Sequence, residues 1–243
     1  MKQQNSNINE DGDVLKLLKK NALNAVDKIN EHEPIKITEW KSEYRDDIME
    51  TIRNAPEKIH RTTEKYLQYV EICNENLLSR PHANSKGIAF NVNKDAVDRR
   101  GKWTTICHEI GHIVDRKTGR VSSRFPEFRK YIVSDFELVV NKYQSVYNCN
   151  EIDAYAEISK ALKSNPKYHS VSDLIGGITN NQCVGNYCHQ AEYWKQANRL
   201  EKEAFAHFYE ATLRNDLEKL EAIKEIFPNA YDMFEKILEV IIS

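Results

Sequence analysis

The sequence predicts an α+β protein, predominantly helical, with a small sheet beside one central helix. Apolar residues recur at helical spacing in segment after segment, and only two short stretches, 69–73 and 87–92, read as strands. The chain has 243 residues, 40% apolar and 30% charged, which is enough for one sizeable core under a well-charged surface. A net charge of −2 gives no electrostatic case for nucleic acid or for an anionic membrane surface. No apolar run approaches the roughly 20 residues of a membrane span, and the polar start MKQQNSNINEDGD lacks the apolar stretch of a secretory signal. Five cysteines, an odd number, fit free thiols in a reducing compartment better than a disulfide framework. Cys183, Cys188 and His189 lack the second Cys/His pair that a structural zinc knuckle needs.

Along the chain, residues 1–12 read as a flexible polar tail, 13–84 as an N-terminal helical portion, and 85–243 as the main domain, compact with 40–84. Val14, Leu15, Leu18 and Val26 mark a first helix over 13–30. Ser42 is a suitable N-cap for a helix carrying Ile48 and Ile52, and Pro56 opens another through Tyr66. The strand candidate GIAFNV over 87–92 comes shortly before the helix TTICHEIGHIVD. Gly119 ends that region, Pro126 opens a helix towards Tyr147, and a further helix covers 150–163. HSVSDLIGGITNNQCVGNYCH reads as irregular and turn-rich. Helices over about 190–215, 217–226 and 230–242 close the chain, with Asn215 and Pro228 at the boundaries.

The most informative segment is His-Glu-Ile-Gly-His at 108–112. Residues i and i+4 of a helix share a face, so His108 and His112 can aim their imidazoles at one ion. Glu109 follows the first of them, where a carboxylate can take a proton from a water at the metal rather than bind the metal. The pattern predicts a single Zn²⁺. Ile106, Ile110, Ile113 and Val114 bury one side of this helix. Gly111 sits mid-helix at a cost of about 1 kcal/mol, which points to close approach of another element. Asp115, one turn beyond His112, is placed to accept a ring N–H from a ligand.

A catalytic zinc needs a third protein ligand and an open position. No histidine follows His112 closely, and LEKEAFAHFYEA offers Glu203, which shares a helical face with His207. Ala204 and Ala206 are small enough for that helix to pack closely on the first. Glu203 is the expected ligand, with His207 behind it or bonded to a ligand, while His189, Tyr193 and Asp173 are further candidates for the open edge. His32, His60, His82 and His169 stand in polar surroundings and read as surface residues.

HEIGHIVD followed by EAFAHF resembles the HExGHxxD…ExFAxxF pattern of the anthrax lethal factor-like metallopeptidases, a gluzincin group that includes proline-proline endopeptidases. The resemblance spans about residues 85–210 and rests on those two motifs. It implies a zincin-like metallopeptidase domain over 85–243, zinc on His108, His112 and Glu203, and Glu109 as general base. It also implies that position 207, usually Glu and here His207, supports a ligand histidine as a second-layer group. Those peptidases carry a transition-state tyrosine seven residues before the third ligand, and Gln196 stands there. Tyr193 and His189 are the candidates to replace it. The stretches SDLIGGITNN, CHQAEYW and IFPNAYDMF further resemble the C-terminal domain of phage minor head (head morphogenesis) proteins.

Two functions follow as expectations. The first is a zinc metalloendopeptidase acting on a peptide or protein, which would lie extended along Gly87, Ile88, Ala89 and Phe90 and add a strand there. The second is a phage head protein with a structural or vestigial zinc, whose partners would be capsid or portal proteins. The expected location is cytoplasmic or virion-associated.

Overall fold

The structure, a computed structural model, describes residues 35–74, 82–84 and 87–243. The tail expected over 1–12, the helix over 13–30 and His32 lie outside the described residues. The sheet has four short strands, β1 (Ile35–Lys36), β2 (Glu71–Asn74), β3 (His82–Asn84) and β4 (Gly87–Phe90), in the order β1-β2-β4-β3. β2 and β4 run parallel, with Ile72 opposite Ile88, and β3 pairs antiparallel to β4, with Ala83 opposite Ile88. Between β1 and β2 lie α1 (Glu43–Arg53) and α2 (Glu57–Tyr66). Ser42 caps α1 through its side chain, as expected, and Pro56 occupies the N-cap of α2.

After β4 come the single turn α3 (Val92–Asp95) and the histidine-bearing α4 (Thr104–Lys117). The rest is helical: α5 (Val121–Arg124), α6 (Pro126–Tyr147), α7 (Glu151–Ser164), α8 (His169–Ile178), α9 (Ala191–Trp194), α10 (Arg199–Leu213), α11 (Leu217–Ile226) and α12 (Pro228–Ile242). The fold is therefore predominantly helical α+β, with its small sheet against α4. Among the described residues no helix is long and apolar enough to cross a membrane.

The helix α10 occupies the centre, packed on α4 and flanked by α2, α6, α8, α11 and α12. Thirteen of its fifteen residues are buried, so each charge on it must find a partner inside the protein. Its apolar side, Phe205 and Phe208, interlocks edge-to-face with Phe234 of α12, and Phe208 also meets Phe128 of α6. The seam with α4 is close because Gly111 has no side chain. A Cβ there would lie 3.0 Å from both Ala206 Cα and Tyr209 Cβ. The mid-helix glycine and the small Ala206 opposite it thus have one cause.

The start of α4 is held by a residue from outside it. Trp103 precedes the helix with φ of 65° and offers no side-chain cap. Asp95 of α3 supplies one instead, accepting the backbone N–H groups of Thr105 at 2.8 Å and Ile106 at 3.0 Å on its two carboxylate oxygens. Asp95 is 2% exposed, so these amides have no water to fall back on. Asp95→Ala is expected to cost about 1–3 kcal/mol of stability, read by denaturant unfolding. A loss below about 0.5 kcal/mol would mean the cap is dispensable.

Three expectations are corrected here. First, Gly87–Phe90 is no open edge: it lies between β2 and β3 and its residues are buried, so its backbone is already paired on both sides. Gly87, Ile88, Ala89 and Phe90 therefore cannot receive a substrate strand. Second, part of the stretch read as irregular forms α8. Gly176 and Gly177 are packing sites within that helix: a Cβ on Gly177 would sit 2.8 Å from the Trp194 ring, and one on Gly176 would sit 3.0 Å from Asn181 Oδ1. Third, the helix expected over 190–215 is two, α9 and α10, separated where Asn198 takes φ of 60°.

Candidate metal centre

α4 and α10 run antiparallel. His112 lies against Glu203 at one end of the pair, and at the other Arg214 Nε donates to the carbonyl of Lys102 at 2.9 Å. This brings Glu203 over the two histidines, although ninety residues of chain separate it from His112. Its Oε2 lies 3.3 Å from His108 Nε2 and 3.5 Å from His112 Nε2. That oxygen is buried and accepts no hydrogen bond. For ligand bonds of about 2.0–2.1 Å in tetrahedral geometry, neighbouring donor atoms stand about 3.3–3.4 Å apart. The two distances from the carboxylate match the edges of such a tetrahedron, and all three donor atoms fall within 4.8 Å of one another. Two imidazole nitrogens and one carboxylate oxygen are also the donor chemistry zinc takes, so the residues fit the ion.

The charges agree with this fit. Burial alone would raise the Glu203 carboxyl, but the facing imidazoles outweigh it and hold its pKa well below the carboxylate range. Burial likewise opposes charge on His112, yet Glu203 and then Glu109 lift its pKa to about 9. His108 is pushed down to about 4, by burial first and then by neighbouring His207. Glu109 is buried, lines the cleft beside the three donor atoms and is close enough to favour charge on His112.

Around the three donors, the other expected residues fall into two groups. Tyr193 reaches the site: its hydroxyl donates to Glu203 Oε1 and accepts from the Arg199 guanidinium at 3.2 Å. Its ring stacks on His189 with centroids 4.1 Å apart. Asp173, fully buried, organises the second group. It lies within 3.0 Å of His189 Nδ1 and of His207 Nε2, and it accepts the His189 backbone N–H at 2.7 Å. Burial opposes charge on His189, but Asp173 outweighs it and raises the pKa. His207 thus spends its Nε2 on Asp173 and meets His108 through ring contact, with centroids 4.6 Å apart. No hydrogen bond joins it to His108 or His112, which leaves the other expected placement, behind the donors. Asp115 also has another partner: its Oδ1 accepts the Ser122 backbone N–H at 2.8 Å, tying α4 to the following turn and not to an imidazole. His169 is no surface residue. It is half-buried in the cleft and stacked on Tyr187.

The donors open into a cleft of about 1190 Å³ that runs along the α4–α10 seam. Towards one end stand Arg100, His169, Tyr187, Glu210 and Lys219; towards the other stand Arg116, Arg120, Arg199 and Lys202. The buried charges of the first end are matched. Glu210 meets Arg214 at 2.5 Å and Lys219 at 2.9 Å, and Arg100 lies 2.6 Å from Asp98. Nothing in residue spacing announced this network or the Asp95 cap, because both join elements far apart in sequence. The five cysteines are free, and no candidate metal cluster among the described residues includes one.

Compared with protein-family models, with curated proteins and with solved structures, the chain matches none.

Proposed function

We propose that this protein is a zinc-dependent metallopeptidase. The observation that carries the reading is the convergence of His108 Nε2, His112 Nε2 and an unbonded, buried Glu203 Oε2 within 4.8 Å of one another in an open cleft, with Glu109 beside them. Zinc held by these atoms would supply Lewis acidity, polarising a peptide carbonyl and lowering the pKa of a water at the open position to about 7. Glu109 would accept the proton of that water and pass it to the departing amine. A purely structural site would have no use for such a carboxylate. The developing oxyanion needs a donor. Tyr193 and His189 both line the cleft, and Tyr193 already directs its hydroxyl at the third ligand. Asp173 fixes the other candidate by holding His189 Nδ1, which turns that ring's Nε2 away from the carboxylate.

Metal analysis joined to a peptide-library cleavage assay tests the reading. Close to one zinc per chain is expected, with cleavage that a chelator abolishes and added zinc restores. Protein that holds zinc and cleaves no member of the library would favour the scaffold reading, and protein that takes up no zinc would overturn the site.

A further inference from the structure

We propose that the substrate is an acidic segment of a peptide, held by Arg116, Arg120, Arg199 and Lys202 at one end of the cleft; this rests on the peptidase reading. The two ends of the cleft treat their cations differently. At the Glu210 end, Arg100 and Lys219 are each committed to a carboxylate, at 2.6 Å and 2.9 Å. At the other end none of the four cations forms an ion pair with a described residue, although all line the same cleft.

The nearby carboxylates are already engaged. Asp115 accepts the Ser122 amide, and Glu201 pairs with Arg129 at 2.7 Å. Arg199 spends its guanidinium on neutral groups, the Tyr193 hydroxyl and the Gln196 side chain. Arg120 and Arg199 also stand close enough to Lys202 for their charges to act on it. Like charges so gathered repel one another. Asp115 and Glu201 offset part of this repulsion at Lys202 without pairing with it, and a ligand that brings further negative charge relieves the remainder as well as gaining attraction. Arg199 and Lys202 stand in the first turn of α10, and Arg116 and Arg120 at or just past the C-terminal end of α4, so the two antiparallel helix dipoles oppose one another here and the positive field comes from the side chains. The whole chain carries −2, so this field is local to the cleft. It would draw in the carboxylates of Asp or Glu side chains, or the carboxylate at a peptide's own C-terminus.

The test is fluorescence anisotropy with the zinc-loaded Glu109→Gln protein, which binds without turnover, and labelled peptides that differ only at Asp/Glu positions. With C-terminally amidated peptides, the acidic form is expected to bind about tenfold more tightly than its Asn/Gln counterpart at low salt. That preference should shrink as salt is added. The paired change Arg116→Glu and Arg120→Glu, at two exposed positions, should abolish it while zinc content and the thermal transition stay as in the parent. If only free-acid peptides gain, the field reads a chain terminus and the acidic-segment assignment falls. Equal binding of acidic and neutral peptides, a preference that survives the double reversal, or tighter binding of a single-stranded oligonucleotide would each overturn the proposal. Failure of the peptidase reading shows elsewhere, as parent protein without zinc or without cleavage.

Discussion

Replacing Glu109 by Gln should leave close to one zinc per chain and reduce peptide hydrolysis by about 10²–10⁴-fold, the usual contribution of a positioned proton-transfer group. The two measurements separate because Glu109 sits beside the donors and is not one of the three converging atoms. An amide of nearly equal size fills the same space, so the packing of α4 on α10 has no reason to change. The loss should fall on kcat and on kcat/KM alike, since a proton acceptor acts in the transition state and contributes little to holding substrate. If Glu109→Gln cleaved peptides as fast as the parent, the base would have to be another group in the cleft. If it lost the metal, the carboxylate would be a ligand after all.

Glu203→Gln should lower zinc affinity by more than about 100-fold, because even residues that only orient ligands cost 10- to 100-fold when replaced. A second readout comes from protons. In the metal-free parent His112 titrates at about 9 and is charged at neutral pH, whereas His108 at about 4 is already neutral. Zinc takes the neutral imidazole, so binding at pH 7 should release about one proton, and affinity should weaken about tenfold for each pH unit below 9. The carboxylate that lifts His112 most is absent from the variant while Glu109 remains, so the proton count should fall below one. Calorimetry in buffers of different ionisation enthalpy measures it. Unchanged affinity together with an unchanged proton count would remove Glu203 from the site and turn attention to the neighbouring trio Asp173, Glu203 and His207, where Asp173 and His207 could still act.

Periodicity made the inner part of this arrangement readable. A four-residue repeat places His108 and His112 on one face, the same repeat places Glu203 and His207 on another, and the unusual Gly111 signals that something passes close by. What could not be read are relations without a period. Asp95 caps a helix ten residues away, and Asp173 joins two histidines carried by different segments. Neither geometry exists until the chain is folded. The strand 87–90 shows the same limit: its hydrophobic run is legible, but an edge differs from an interior position only by the strand His82–Asn84, whose residues carry no strand signature. Glycines misled in one place and informed in another, since Gly176 and Gly177 resemble turn punctuation while serving, like Gly111, to admit a neighbour.

The absence of a side chain at Gly111 bears on which ions the proposed site would accept. The gap between two helix axes sets the size of the triangle formed by two imidazoles on one and a carboxylate on the other, much as the jaw setting of a wrench decides which nut it grips. A methyl group inserted there would push the jaws apart and favour broader cations over compact ones. In the proposed zinc site, selectivity would thereby rest on a backbone contact one residue away from the nearest donor.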